Sequence, residues 1–218
     1  MHRLPRVLAL ALAVVPLAAA PAPPVPDRSP GLAGFARAWE HVRAYRAGIV
    51  LYEKAGSQVQ QNTYDYEFTR PSNVSLKVVS GPSTGGSLSW DGGPNVVARK
   101  GSGFIGIFHR TLPLHDRATT TIRGSSVDLL GFGAILAHAL QTPGTITETP
   151  GQPIAGEPTQ DVTLVPAAPQ NDSGYTREVV TLSARTHLPL RVLGYERNDV
   201  VRRVDFTGVV LAPATAAP

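Results

Sequence analysis

Few residues in this chain have chemistry to offer. The six histidines are His2, His41, His109, His115, His138 and His187. His109, His115 and Asp116 fall together in "FHRTLPLHDR", the one cluster that invites acid–base or metal work. Imidazoles relay protons near neutral pH and ligate metals through their free nitrogen. A helix-borne metal pair needs histidines at i and i+4, and this spacing does not supply one. A loop accounts for the cluster equally well. His138 sits in an apolar run and reads as an interior or rim histidine. His41, beside Glu40 and Arg43, reads as part of an exposed helix face.

Other catalytic patterns fail on spacing. Serine hydrolases place their nucleophile in G-x-S-x-G, and "RGSSVD" lacks that spacing. Glu53 and Glu67 could face each other on neighbouring strands, but nothing sets the separation that glycoside hydrolysis requires. "GPSTGG" lacks the Lys-Ser/Thr end and the following helix of a phosphate loop. Cysteine is absent, which excludes a disulfide, a thiolate metal site and a thiol nucleophile. The expectation is therefore no catalytic residue, no metal and no cofactor.

The chain has 218 residues, 42% hydrophobic and 17% charged, enough for one domain with a sizeable core. Gly 21 and Pro 20 point to β structure with many turns. The net charge of +4 comes with 17 Arg and 3 Lys, and no basic block appears. A nucleic-acid partner has no support. Arg197, Arg202 and Arg203, interleaved with Asp199 and Asp205, read as a solvated strand edge.

Residues 1–22 read as a signal peptide: Arg3 and Arg6 precede an apolar run at 7–17 and small residues at 18–22. The run is short for a span of about 20 residues. A Pro-rich linker at 23–30, a domain at 31–211 and a disordered tail at 212–218 follow. The chain is expected to be periplasmic or secreted.

Periodicity places the elements. Leu32, Phe35, Trp39, Val42 and Tyr45 recur at helical spacing and predict an amphipathic helix over 31–47. Period-two alternation predicts strands at 48–54, 63–69, 74–79, 87–91, 95–99 and 104–108. A second helix is predicted over 125–140, apolar nearly all round and so expected to be enclosed. Further strands fall at 145–149, 159–165, 177–183, 190–196 and 200–210. Short turn-rich separators imply consecutive antiparallel pairing. The expected class is mainly β (α+β): a single curved antiparallel sheet forming an incomplete barrel, with helices covering the concave face.

The most informative stretch is "TYDYEFTRPSNVSLKVVSGP", residues 63–82. Tyr64, Tyr66 and Phe68 alternate with Asp65, Glu67 and Thr69, and an Arg-Pro step precedes a second alternating run. "YEFTRPSNVSLKV" followed by "GGSLSWDGGPNVVAR" resembles the LolA-like family of periplasmic lipoprotein and lipid carriers. The matching positions are Phe68, Arg70, Pro71, Asp91 and Gly92, with Tyr45, Glu53 and Gly56 matching one branch and "THLPLRVLGYE" a later strand. The resemblance implies a half-closed barrel lidded by helices that binds acyl chains of lipids or lipoproteins. The expected cavity residues are Tyr64, Tyr66, Phe68, Leu76, Trp90, Phe104, Leu129, Phe132 and Leu136. Arg70 is the match for an arginine that hydrogen-bonds the helical lid in that family. The expected partners are a lipid or lipoprotein acyl chain and an envelope membrane protein, with the chain itself a monomer. Two other readings stay open: a secreted hydrolase using His109, His115 and Asp116, and a structural or signalling adaptor whose barrel is filled by its own side chains.

Overall fold

The computed structural model describes residues 29–100 and 109–212. The expected signal peptide, residues 23–28 of the expected linker, the strand expected at 104–108 with Phe104, and residues 213–218 of the expected tail lie outside the described residues.

Chain order begins with α1 (Pro30–His41) and β1 (Ala44–Ala55), then β2 (Gln58–Thr69), β3 (Asn73–Ser80), β4 (Ser87–Trp90), β5 (Asn95–Arg99) and β6 (His109–Pro113). A 3₁₀ turn (Val127–Leu129) and α2 (Phe132–Gln141) follow. The chain closes with β7 (Gly144–Pro150), β8 (Thr159–Pro166), β9 (Arg177–Ser183), β10 (Pro189–Glu196) and β11 (Asp199–Leu211). Among the described residues eleven strands form one antiparallel sheet in the order β6-β5-β4-β3-β2-β1-β11-β10-β9-β8-β7, which does not close into a barrel. Its two ends in sequence, β1 and β11, pair at its centre.

Alternation builds the core. Tyr45, Ala47, Ile49 and Leu51 of β1 are buried, as are Tyr64, Tyr66 and Phe68 of β2 and Val74, Leu76 and Val78 of β3. Cross-strand partners continue that face: Ile49 opposes Tyr64 and Phe206, and Tyr66 opposes Leu76. Leu32 and Phe35 of α1 and Phe132, Ile135, Leu136 and Ala139 of α2 join the same cluster. Both helices thus cover one face of the curved sheet.

Three expectations change. The first helix ends at His41 rather than 47. Ser29 caps it by accepting the Leu32 N–H, but Val42 is already extended. Residues from Ala44 onward pair with β2 along all of β1, and that ladder displaces further helix. Tyr45, placed on the helical stripe by spacing, belongs to β1. The second helix is divided, because Gly131 is extended at ψ 161° and only Phe132–Gln141 is α-helical. The Tyr66 hydroxyl lies 2.6 Å from where a Cβ on Gly131 would stand. Finally, His109–Pro113, read as a loop, forms β6 against β5.

The Phe132 N–H, exposed by that break, donates to the Tyr45 hydroxyl at 3.1 Å. Tyr45→Phe keeps the ring and leaves this buried donor unpaired. Urea unfolding should show a loss of about 1–2 kcal/mol. An unchanged midpoint would show that the tyrosine cap contributes nothing.

Candidate lipid-binding groove

Around the end of α1 the sheet face is built of rings. Trp39 packs on Phe68, with centroids 5.2 Å apart, and meets Tyr45 and Phe132 edge-on. Phe132 stacks on Tyr45 at 4.3 Å and tilts on Phe206 at 4.9 Å. Gly133 allows the helices to meet here, since a Cβ on it would lie 2.8 Å from the Trp39 ring. Burial pushes the Tyr45 and Tyr66 hydroxyls well above the ordinary tyrosine range. Tyr64 is pushed up to about 12 by the same cause. These phenols stay neutral and serve as dipoles, not as bases.

Arg70 fastens the arrangement. Its Nε donates to the Val42 carbonyl and its Nη2 to the Trp39 carbonyl, both at 2.6 Å. Its guanidinium also lies 4.6 Å from the centre of the Trp39 ring. A cation on the last carbonyls of a helix satisfies orphan acceptors and complements the helix dipole. Although Arg70 precedes a proline at a strand end, it is partly buried against α1.

Beside these contacts runs an open groove of about 550 Å³. Trp39, Tyr66, Phe68, Trp90, Leu129 and Phe132 line it, together with the polar Arg70, Asp128, His138 and Gln141. Of the expected cavity residues, Tyr66, Phe68, Trp90, Leu129 and Phe132 therefore come together. Tyr64, Leu76 and Leu136 do not line it, although they are buried in the same core cluster as Tyr66, Phe68 and Phe132. They point to the helix-covered face, as alternation implies. Trp39 was missing from the expected set. Its helical spacing was legible, but not that α1 ends over Phe68 and Arg70.

The alternative clusters do not assemble. His109 opposes Arg99 at one end of β6, whereas His115 and Asp116 lie in the turn beyond its other end. Asp116 instead caps the Ala118 N–H. The Ser126 hydroxyl is 3.2 Å from His115 Nδ1, but Ser126 is buried and its proton goes to Asp128. A nucleophile needs its proton directed at the base and an approach for substrate, and Ser126 has neither. Glu53 opposes Gln60 and Glu67 opposes Arg46, so the two glutamates are not a cross-strand pair. Glu53 is fully buried, accepting from the Ser125 hydroxyl and the Arg123 N–H.

A polar cluster gathers at His138 of α2, which also lines the groove. His138 Nε2 is 2.5 Å from Glu178 Oε1 and 3.2 Å from Asp172 Oδ1. The hydrogen bond to Glu178 raises the His138 pKa. Desolvation and the Glu178 charge push Asp172 up to about 6. Arg202 is buried beside this cluster, not part of a solvated edge, while Arg203 pairs with Asp205 at 3.0 Å.

No family model and no curated protein sequence matches the chain. Among solved structures, the lipoprotein LppX of Mycobacterium tuberculosis aligns with a TM-score of 0.50 and 12% identity. That alignment covers 81% of this chain and 90% of LppX. A LolA superfamily protein from Nitrosomonas europaea aligns at 0.38 and 10%, covering 86% of this chain and 94% of that one. MucB aligns at 0.45 and 17%, covering 88% and 60%. The chain shares the fold of LppX. In this open sheet the groove lies between the end of α1, the 3₁₀ turn with α2, and strands β2 to β4.

Arg70→Met should free the end of α1 at a cost of about 2 kcal/mol, the scale of charge-assisted hydrogen bonds in a partly buried site. Amide hydrogen exchange should rise across Pro30–His41 and stay unchanged in β11. Equal protection of α1 in the variant and the parent would refute the latch.

Proposed function

We propose that this chain is a non-enzymatic binding protein of the periplasm or extracellular space that holds acyl chains of a lipid or lipoprotein. The groove beside α2 carries the reading. It is lined mainly by apolar and aromatic residues, with Arg70, Asp128, His138 and Gln141 among them, is open, and lies within the volume range of about 300–1,000 Å³ that suits small ligands. Each methylene buried there would contribute about 0.8 kcal/mol. Arg70 in its lining supplies a cation for an anionic headgroup. Transport of the chain, or sensing of it by an envelope membrane protein, fits the same geometry. No helix among the described residues is long and apolar enough to cross a membrane. The signal-like N-terminus supports export.

The test is displacement of a fluorescent fatty acid, with Ala137→Trp as the groove-filling variant. Ala137 is exposed and lines the groove, so a larger side chain reaches into it without entering the core. The parent should bind in the micromolar range and the variant at least tenfold more weakly, with an unchanged melting temperature. Absence of binding by the parent, or equal binding by both, would overturn the reading and favour an adaptor with a filled interior.

A further inference from the structure

His138 of α2, Asp172 of the loop after β8 and Glu178 of β9 converge from three separate elements. Their ligating atoms all lie within 4.8 Å of one another. Asp172 and Glu178 are 6% and 3% exposed, while the His138 side chain is 43% exposed. Asp172 Oδ2 is buried without a hydrogen-bond partner among the described residues. A buried carboxylate oxygen without a partner is costly and calls for an explanation, a bound ion or water among them.

We propose that His138, Asp172 and Glu178 bind one divalent transition-metal ion of the zinc class. Around a four-coordinate ion with bonds of 2.0–2.2 Å, neighbouring ligand atoms stand roughly 3.4 Å apart. His138 Nε2 and Asp172 Oδ1 are already 3.2 Å apart. Glu178 Oε1 has to back away from its 2.5 Å contact by about 1 Å to reach that spacing, a side-chain rotation. The fourth position falls to water from the exposed edge of His138. A cleft of about 270 Å³ lined by Gln141, Thr142, Ala167 and Asp172 opens there. The Thr142 hydroxyl, 3.5 Å from His138 Nδ1, offers the outer partner that orients Nε2 toward an ion. One imidazole with two carboxylates suits Zn²⁺, whereas Mg²⁺ and Ca²⁺ favour all-oxygen sets. From β11, Arg202 lines with His138 and Glu178 a separate pocket of about 140 Å³ and offsets one of the two carboxylate charges, leaving one to attract a cation. The ion joins α2 to β9 and so stiffens the lid helix.

The experiment is a titration of the purified, chelator-treated chain with Zn²⁺ alone, read by calorimetry and by thermal unfolding. No lipid is present, so its outcome is separate from that of the acyl-binding reading. One equivalent should bind at micromolar affinity or tighter, and saturating Zn²⁺ should raise the melting temperature by about 5 °C. Mg²⁺ should not compete. Asp172→Asn and Glu178→Gln keep the shape of each side chain and should each weaken binding at least tenfold. His115→Ala, at the other histidine cluster, should leave it unchanged. X-ray absorption of the zinc-loaded parent should show one imidazole nitrogen among oxygen ligands, a readout that does not depend on any variant folding. No saturable binding below about 100 μM, or binding insensitive to both carboxamide variants, would overturn the proposal.

Discussion

The stack of Phe132 on Tyr45 ties the lid to the middle of the sheet. Tyr45 stands on β1, which pairs with both β2 and β11, so its ring is held at the most constrained point of the fold. Phe132 opens α2 and is fully buried. The Tyr45 hydroxyl caps the helix whose first side chain its ring supports. Packing and hydrogen bonding thus set one helix terminus together. This requires the backbone to break at Gly131, where the Tyr66 hydroxyl comes close.

The groove is a by-product of how that anchor is reinforced. Trp39 reaches from α1 to Phe68 and Phe132, and Arg70 holds the end of α1 from below. The rings meet each other rather than filling the whole face, which leaves apolar space between Phe68, Trp90 and Leu129. Along the same helix His138 carries charged contacts to Asp172 and Glu178. The covering helix therefore meets the sheet through aromatic rings near Phe132 and through ion pairs at His138. The acyl binding proposed above would leave the strands of the sheet paired as they are.

Much of this was legible in the sequence, and the gaps have physical causes. Strands β5 and β9 fall at the expected bounds, 95–99 and 177–183, because turn-rich segments flank each run, although β9 is buried along nearly its whole length rather than alternating. The stripe of Tyr64, Tyr66 and Phe68 faces the helices as its spacing implies. Alternation assigns a face, however, and does not say which row of it lies under a helix. Tyr66 and Phe68 border the groove and Tyr64 does not, although all three are buried. Tyr45 satisfied helical and strand periodicity at once, and only the ladder with β2 decided between them. The cluster at His138 was not legible. Asp172 and Glu178 meet it through the order of β8, β9 and β10, a long-range pairing that local pattern does not carry. Arg202 was misread as solvated for the same reason, since its burial depends on Tyr175 and His138 arriving from other elements.

The most direct test of the groove is where an acyl chain actually touches the protein. Intermolecular nuclear Overhauser contacts between a ¹³C-labelled fatty acid and the unlabelled side chains would locate it. Contacts should appear at Trp39, Phe68, Trp90 and Leu129, and none at Tyr64 or Leu76. Contacts confined to the outer face of the sheet, or to Tyr64 and Leu76 in the core, would contradict the groove as the binding surface.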